Sequence, residues 1–432
     1  MGIELKHTEI GDIPTDWEVQ TFEETFRVLS NNTLSRAELN NRGGNVRNIH
    51  YGDILVRYSE VIDCASEDIP FVTDTSVIRS SAMLLQDGDI VIADTAEDDV
   101  VGKVAEISGL GDGKLVAGLH TIPCRVKKGD FVPGWLGYYM NSYVYHKQIL
   151  PFVTGIKVSS ISKTAIAGTY ILVPPKHVQE FIVQILDDVE KNIAKCKAEI
   201  NKLLYIQEAC MQAMFPKKGE NKPLKRMPNC YGEWEQRNLL SCIKKITDFR
   251  GRTPRKLGME WSDSGYLALS ALNVKNGYID FSQDVHYGDQ NLYEKWMGGN
   301  ELHKGQVLFT TEAPMGNVAQ IPDDKGYILS QRTIAFEVIE EVIIEDFLAI
   351  LLRCSTVFEQ LTALSSGGTA KGISQKSLNM VDVVIPVELE EQKALADFFF
   401  EFSKLISIER KKCEKYKALK RSFMTKLIIG EE

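Results

Sequence analysis

No apolar run in this sequence approaches the roughly 18 to 20 residues of a membrane-spanning helix. The opening stretch, MGIELKHTEIGDIP, holds no apolar signal core, so a cytoplasmic protein without a membrane partner is expected. Eight cysteines, at positions 64, 124, 196, 210, 230, 242, 354 and 413, include no Cys-x-x-Cys pair. That spacing argues against both a zinc site and a disulfide framework, and predicts small, reduced core residues. Seven histidines supply no His-x-x-x-His pair, and no metal or cofactor is expected. The single Pro-Pro pair, Pro174-Pro175, lacks the Asn/Asp-Pro-Pro-aromatic context that a base methyltransferase uses to hold a flipped base.

What is present begins with length. At 432 residues, with 44% hydrophobic and 25% charged residues, the chain exceeds what one core organises, and two or more globular domains are expected. The net charge of −9 is unevenly placed. Between Pro216 and Lys256 twelve Lys or Arg stand against four acids, so this window carries +8 and the remainder −17. A basic island on an acidic body can follow a phosphate backbone, because the local field outweighs the sum; a solvated lysine-rich linker is the plainer reading of residues 217–226.

The chain also says one thing twice. ISKTAIAGTYILVP (Ile161 to Pro174) returns as ISQKSLNMVDVVIP (Ile373 to Pro386), 212 residues on. TDWEVQTFEE (from Thr15) pairs with GEWEQRNLLS (from Gly232), and GDIVIADTAEDDVVGKVAEI (from Gly88) with GQVLFTTEAPMGNVAQI (from Gly305). HTIPCRV (from His120) answers RTIAFEV (from Arg332). The order is the same in both halves, which is a tandem duplication of a whole domain. Within each copy, short β-rich runs bounded by Gly, Asp and Pro read as strands.

After each closing proline the pattern changes. Residues 177–215 and 388–427 contain no Gly or Pro, and their apolar residues recur at helical spacing. Ile182, Ile185, Val189, Cys196, Leu203 and Cys210 form one stripe; Leu395, Phe398, Phe402, Leu405, Tyr416 and Phe423 form the other. Helices of this length need a partner for a single stripe, and an antiparallel coiled-coil pair between the two copies is expected. The fold class is therefore α+β: two tandem αβ domains, each followed by a long helix, with pseudo-twofold symmetry. The expected boundaries are 1–175, helix 176–216, basic linker 217–229, 230–386 and helix 387–432.

This organisation resembles the specificity subunit of Type I restriction–modification systems, over the whole chain. The residues that carry the resemblance are HYGDI (His50 to Ile54), GRTP (Gly251 to Pro254), TEAPMGNVA (Thr311 to Ala319), GGTAKGIS (Gly367 to Ser374) and the helix start PVELEEQKALADFF (from Pro386). The first helix start departs from it, reading PPKHVQEF where Glu-Gln is usual. The resemblance implies a subunit with no chemistry of its own. Each target-recognition domain would read one half of a split, asymmetric double-stranded DNA site. The helices would act as a ruler and as the docking surface for two methyltransferase subunits, with translocase–nuclease restriction subunits joining outside.

The loops bear on the choice between DNA recognition and the alternative, a tandem protein-interaction scaffold. Residues 35–59 interleave arginines with Asn, His and Tyr, and TDFRGRTPRK (from Thr247) continues that chemistry in the second copy. Arg reads guanine and Asn reads adenine, while both, with Lys, anchor phosphates. The expected DNA contacts are Arg42, Arg47, Asn48, Arg57 and Tyr58 in the first copy, and Arg250, Arg252, Lys256, Ser270 and Asn273 in the second. Lys157 and Lys371, in the glycine loops TGIKVSS and GGTAKGIS, are expected phosphate ligands. The repeat also tests enzymatic readings: GLGDG (Gly109 to Gly113) faces PDDKG in the second copy, and the acids at 97–99 lie in one copy only. Neither a nucleotide cradle nor a nuclease site is expected.

Overall fold

The computed structural model describes residues 4–97, 100–155, 158–366 and 371–429. The chain divides into two units, Met1–Cys196 with Lys412–Glu432, and Lys197–Lys411. Each unit therefore holds one αβ domain and a portion of both long helices.

The first unit is built on five strands, β1 (Phe26–Val28), β2 (Val61–Asp63), β3 (Ile90–Ala93), β4 (Val104–Ser108) and β5 (Thr121–Val126), in the order β1-β5-β3-β4-β2. Only the β4–β2 pairing is parallel. β3 is buried along its whole length, which is why Ile-Val-Ile-Ala is a continuous apolar run rather than an alternating one. Beside it lies a smaller sheet in which Leu115–Ala117 runs parallel to Arg47–Ile49.

The second unit repeats this plan. Strands β6 (Ile243–Asp248), β7 (Val307–Thr310), β8 (Val318–Gln320) and β9 (Thr333–Val338) lie in the order β6-β9-β7-β8, matching β1-β5-β3-β4. Here too the smaller sheet has one parallel pair, Tyr266–Leu269 with Tyr327–Leu329.

The repeated phrases meet in space. Tyr170–Val173 pairs antiparallel with Glu18–Thr21, and Asp382–Pro386 with Trp234–Asn238, so the strand that starts at each repeated Trp-Glu pair closes on the last strand of its copy. The Ile-Ser start has one role in both copies. Ile161 and Ile373 are buried, while the hydroxyls of Ser162 and Ser374 accept from the amides of Ala165 (3.1 Å) and Ser377 (3.0 Å), capping a short helix.

The central helix spans Lys176–Met214 and the C-terminal helix Leu389–Ile429. In the first unit Val189, Ile193 and Cys196 pack with Cys413, Tyr416 and Phe423. In the second unit Met211, Met214 and the following Phe215 share a core with Leu395 and Phe399, the Phe215 and Phe399 rings lying 6.0 Å apart. The start of each helix thus lies beside the end of the other, which is antiparallel pairing. Leu405 corrects the expected stripe: it is exposed, and its neighbour Ile406 is buried instead. In the first unit Lys420 is buried between Glu60 and Glu190, with its ammonium 2.7 Å from Glu190 and 5.5 Å from the centre of the Tyr138 ring. Burial opposes the Lys420 charge, but the two carboxylates outweigh it and raise its pKa.

No single described helix is long and apolar enough to cross a membrane. The bent pair Glu345–Leu351 and Ser355–Leu364 is apolar enough by composition, but it supplies buried core residues to the second unit.

Candidate nucleic-acid interface

In both units one set of backbone hydrogen bonds gathers the loop after the central strand, the residue before the last sheet strand and the Ile-Ser phrase. In the first unit the Asp94 amide donates to the His120 carbonyl (3.1 Å), and the Ile161 amide donates to the Asp94 carbonyl (2.9 Å). In the second the Thr311 amide donates to the Arg332 carbonyl (2.8 Å), and the Ile373 amide donates to the Thr311 carbonyl (2.9 Å). The glycine loops are attached to the same edge. Thr95–Ala96 pairs with Ser159–Ser160 in one unit, and Gly372 bridges to both Glu312 and Ser366 in the other.

The GRTP segment joins this edge in the second unit. Gly251 takes a φ of +76°, which lets the Arg252 amide turn back to the Phe249 carbonyl (3.0 Å) and leaves Arg250 exposed. Asp248 accepts from the Arg250 guanidinium (2.6 Å) and from the Gln375 side chain (3.0 Å), linking the loop to the Ser374-capped helix. Burial opposes ionisation of Asp248, but Arg250 and Gln375 prevail and hold its carboxyl below the ordinary range.

Five expected contacts are exposed. Arg42 sits on the loop after Leu39–Asn40, and Arg57 lies 3.3 Å from Asp68. Arg250, Lys256 and Lys371 are also exposed, with the Lys256 ammonium donating to the Gly251 carbonyl (2.6 Å). Lys157 lies outside the described residues.

The remaining six are placed differently from a surface reader. Asn48 is fully buried and accepts from Asn32 (3.1 Å); Tyr58 is 2% exposed. Ser270 and Asn273 form a buried turn in which the Asn273 side-chain Oδ1 accepts from the Ser270 backbone amide (2.9 Å), while the Ser270 hydroxyl donates to Asp284 (2.6 Å). Arg47 is committed to the Cys64 carbonyl (2.6 Å), and Arg252 to the Trp296 carbonyl with its guanidinium 4.1 Å from the Phe249 ring centre. Arg47, Arg252, Ser270 and Asn273 brace the loops, because polar groups at strand ends satisfy the backbone there before they can meet a ligand; the Tyr58 hydroxyl and the Asn48 side-chain NH2 are buried without a hydrogen-bond partner among the described residues.

HYGDI is such a brace. The His50 ring accepts from the Gly52 amide (3.2 Å), as the Ser270 hydroxyl accepts from Leu272 (3.2 Å) in the second copy. Burial and the nearby Arg36 lower the His50 pKa, which suits the neutral acceptor form. Arg36 in turn holds buried Asp53 through two hydrogen bonds of 2.9 and 2.8 Å.

Two residues at the shared edge were not among the expected contacts. His120 and Arg332 are exposed and left-handed, with φ of 54° and 62°. Their only signal in the sequence is that each opens the repeated Thr-Ile strand. Among the described residues no group of three or more His, Cys, Asp or Glu side chains can hold a metal ion.

Comparison with known proteins agrees with this duplicated plan. Residues 14–205 and 232–418 each match the family described as the Type I restriction modification DNA specificity domain. The MjaX type I restriction enzyme specificity subunit of Methanocaldococcus jannaschii is 25% identical over 435 aligned residues, covering 99% of this chain and 96% of that protein. The MjaVIII specificity subunit of the same organism is 26% identical over 64% of this chain and 65% of its own length. Among solved structures, the S subunit of a Type I restriction–modification system from M. genitalium superposes with a TM-score of 0.52 at 11% identity, covering 99% of both chains. A chain solved in work on complex assembly and conformational transition of the type I R-M system gives 0.52 at 13% identity, over 97% of this chain and 99% of that one. The two structures share the fold; the two matched segments, which together span most of the sequence, place this chain in the Type I restriction modification DNA specificity family.

Proposed function

We propose that this chain, a non-catalytic type I restriction–modification specificity subunit, recognises a bipartite, asymmetric site in double-stranded DNA, one half-site per unit. The observation that carries this reading is the shared edge: one hydrogen-bond framework at Asp94, His120 and Ile161 and again at Thr311, Arg332 and Ile373, bearing different side chains. A common scaffold with diverged surfaces suits two unlike half-sites. Arg42 and Arg57 serve the first half-site. Arg250 and Lys256 serve the second, with Lys371 as a phosphate anchor.

Type I specificity subunits bind DNA and assemble with methyltransferase and restriction subunits. In this chain the docking surface for two methyltransferase subunits is assigned to the long helices. Support comes from apolar side chains they leave exposed, including Phe181, Tyr205, Phe400 and Ile408. A scaffold that binds only protein has no specific observation in its favour.

The test is methylation mapping of DNA modified by the assembled enzyme. Two defined half-sites separated by a spacer of fixed length are expected. Modification at a single contiguous motif, or without sequence preference, would refute the reading.

A further inference from the structure

We infer that His120 and Arg332 are equivalent base-reading residues, one for each half-site, and that Arg332 reads a guanine. The inference rests on the proposed function and names the residues that would carry the difference between the two halves.

Backbone geometry singles them out. Both are non-glycine residues with positive φ, and both stand immediately before the same strand of the repeated sheet, β5 or β9. Glycine would occupy such a position without steric cost, so a large side chain kept there points to a use for the side chain. The conformation is enforced from several sides. In the first unit the Asn31 side-chain NH2 donates to the carbonyls of Gly118 (3.1 Å) and Thr121 (3.0 Å), and the Thr121 hydroxyl donates to the Gly118 carbonyl (2.6 Å). In the second the Thr311 amide and hydroxyl both address the Arg332 carbonyl, at 2.8 and 3.3 Å. The backbone is fixed while both residues stay exposed at the surface, which is the preorganisation a reader needs.

The surroundings favour a base edge over a phosphate. The His120 ring lies 3.3 Å from the Asp94 carboxylate and 3.2 Å from the Thr95 hydroxyl. A carboxylate at that distance repels phosphate but leaves the ring able to donate to a neutral acceptor. Tyr51 packs edge-on at 5.3 Å and limits ring rotation. Arg332 has Thr311 where His120 has Asp94, and its guanidinium fork matches the O6 and N7 acceptors of guanine. A phosphate anchor has no reason to differ between the copies, because phosphates are alike in both half-sites. A reader must differ, and this position changes from His to Arg on an unchanged backbone.

The test uses the chain assembled with its methyltransferase subunits, offered a library of duplex DNA with randomised sequence and read by methylation mapping. Four variants are compared: Arg332→His and His120→Arg, whose new side chains the fold already carries at the equivalent place, and Arg332→Gly and His120→Gly, which keep the left-handed backbone. Each Arg332 variant should relax or change the preference at one base pair of one half-site, with a loss of roughly tenfold to a hundredfold in discrimination. The other half-site should be unchanged, and the His120 variants should give the mirror result. Thermal midpoints like that of the wild type exclude a folding effect. Unchanged preferences in all four variants would overturn the inference while leaving the proposed function standing. A loss equal at every position would mean phosphate anchoring and would also overturn it. A wild-type enzyme that selects no sequence would bring down the proposed function, and the inference with it.

Discussion

The side-chain amide of Gln392 donates to the Pro386 carbonyl at 2.9 Å, joining the first turn of the C-terminal helix to the last residue of the strand before it. The same amide donates to Val342 (2.9 Å) and accepts from Ile344 (3.1 Å). Gln179 repeats the pattern at the start of the central helix, donating to Pro174 (2.8 Å) and Asp130 (3.0 Å) and accepting from Val132 (3.1 Å). Both glutamines are fully buried. The first helix start, which lacks the usual Glu-Gln, therefore keeps the glutamine and replaces only the preceding Glu391 with Val178.

Replacing either glutamine by leucine leaves two carbonyls and one amide without their partner. A loss of about 3 kcal/mol or more of stability is expected for Gln179→Leu or Gln392→Leu, since three buried groups lose their partner and each costs ~1–3 kcal/mol. Urea unfolding of the full chain measures this. A change within error of zero would mean that the glutamines are not what fixes strand to helix.

Lys420 makes a different kind of junction. It brings Glu60 of the first αβ domain and Glu190 of the central helix onto the C-terminal helix, and its side chain is only 10% exposed. Lys420→Met preserves the apolar stem but strands two carboxylates. A destabilisation of about 2 kcal/mol or more is expected, below the full ~3–5 kcal/mol for a broken buried pair because both carboxylates keep some exposure. Adding Glu190→Gln to Lys420→Met should recover part of that loss. No recovery would show that the lysine acts through packing rather than charge.

Glu106 predicts a pH dependence. Its carboxylate accepts from the amides of Gly134 (2.6 Å) and Gly137 (2.8 Å), at the start of the helix Trp135–Met140. Burial nevertheless dominates and pushes its pKa up to about 7 from an ordinary 4.5. Between those values the folded chain holds a proton that the unfolded chain has released, so this residue makes the fold less stable as pH rises through that window. The second copy carries the neutral isostere Gln320 at the equivalent place. Relative to wild type, Glu106→Gln should therefore gain up to about 3 kcal/mol between pH 4.5 and 7.5, at ~1.4 kcal/mol per unit of pKa. A stability difference independent of pH, measured by denaturant titration, would rule this out.

The sequence made the duplication and the long helices legible because both are periodic: a phrase returning after 212 residues, and apolar residues returning every three or four. Its error at Leu405 follows from the same periodicity. Spacings of three and four count neighbouring positions of the stripe alike, and only packing selects Ile406. The site was harder to read, for a chemical reason. Ser270 and Asn273 are residue types that can hydrogen-bond bases, and those same types tie down turns at strand ends, which is what they do here; Asn48 is buried inside its strand against Asn32. His120 and Arg332 stand out through backbone φ, which composition does not report.

The placement of the two kinds of cation separates their roles in DNA binding. Lys371 is exposed in the glycine loop, so Lys371→Ala should weaken binding of the assembled enzyme to every duplex alike and lower the salt dependence by about one counterion. Arg252 spans the Trp296 carbonyl and the Phe249 ring. Arg252→Ala should act first on the second unit itself, lowering the thermal midpoint by an amount equivalent to about 1 to 3 kcal/mol. Its effect on DNA should then follow the loss of folded protein, with half-site preference retained in the fraction that remains folded. Fluorescence anisotropy with specific and scrambled duplexes at several salt concentrations, alongside thermal unfolding, distinguishes the two. An Arg252→Ala variant of wild-type stability that loses only specific binding would return Arg252 to the base-reading set and show that its contacts to Trp296 and Phe249 give way when DNA arrives.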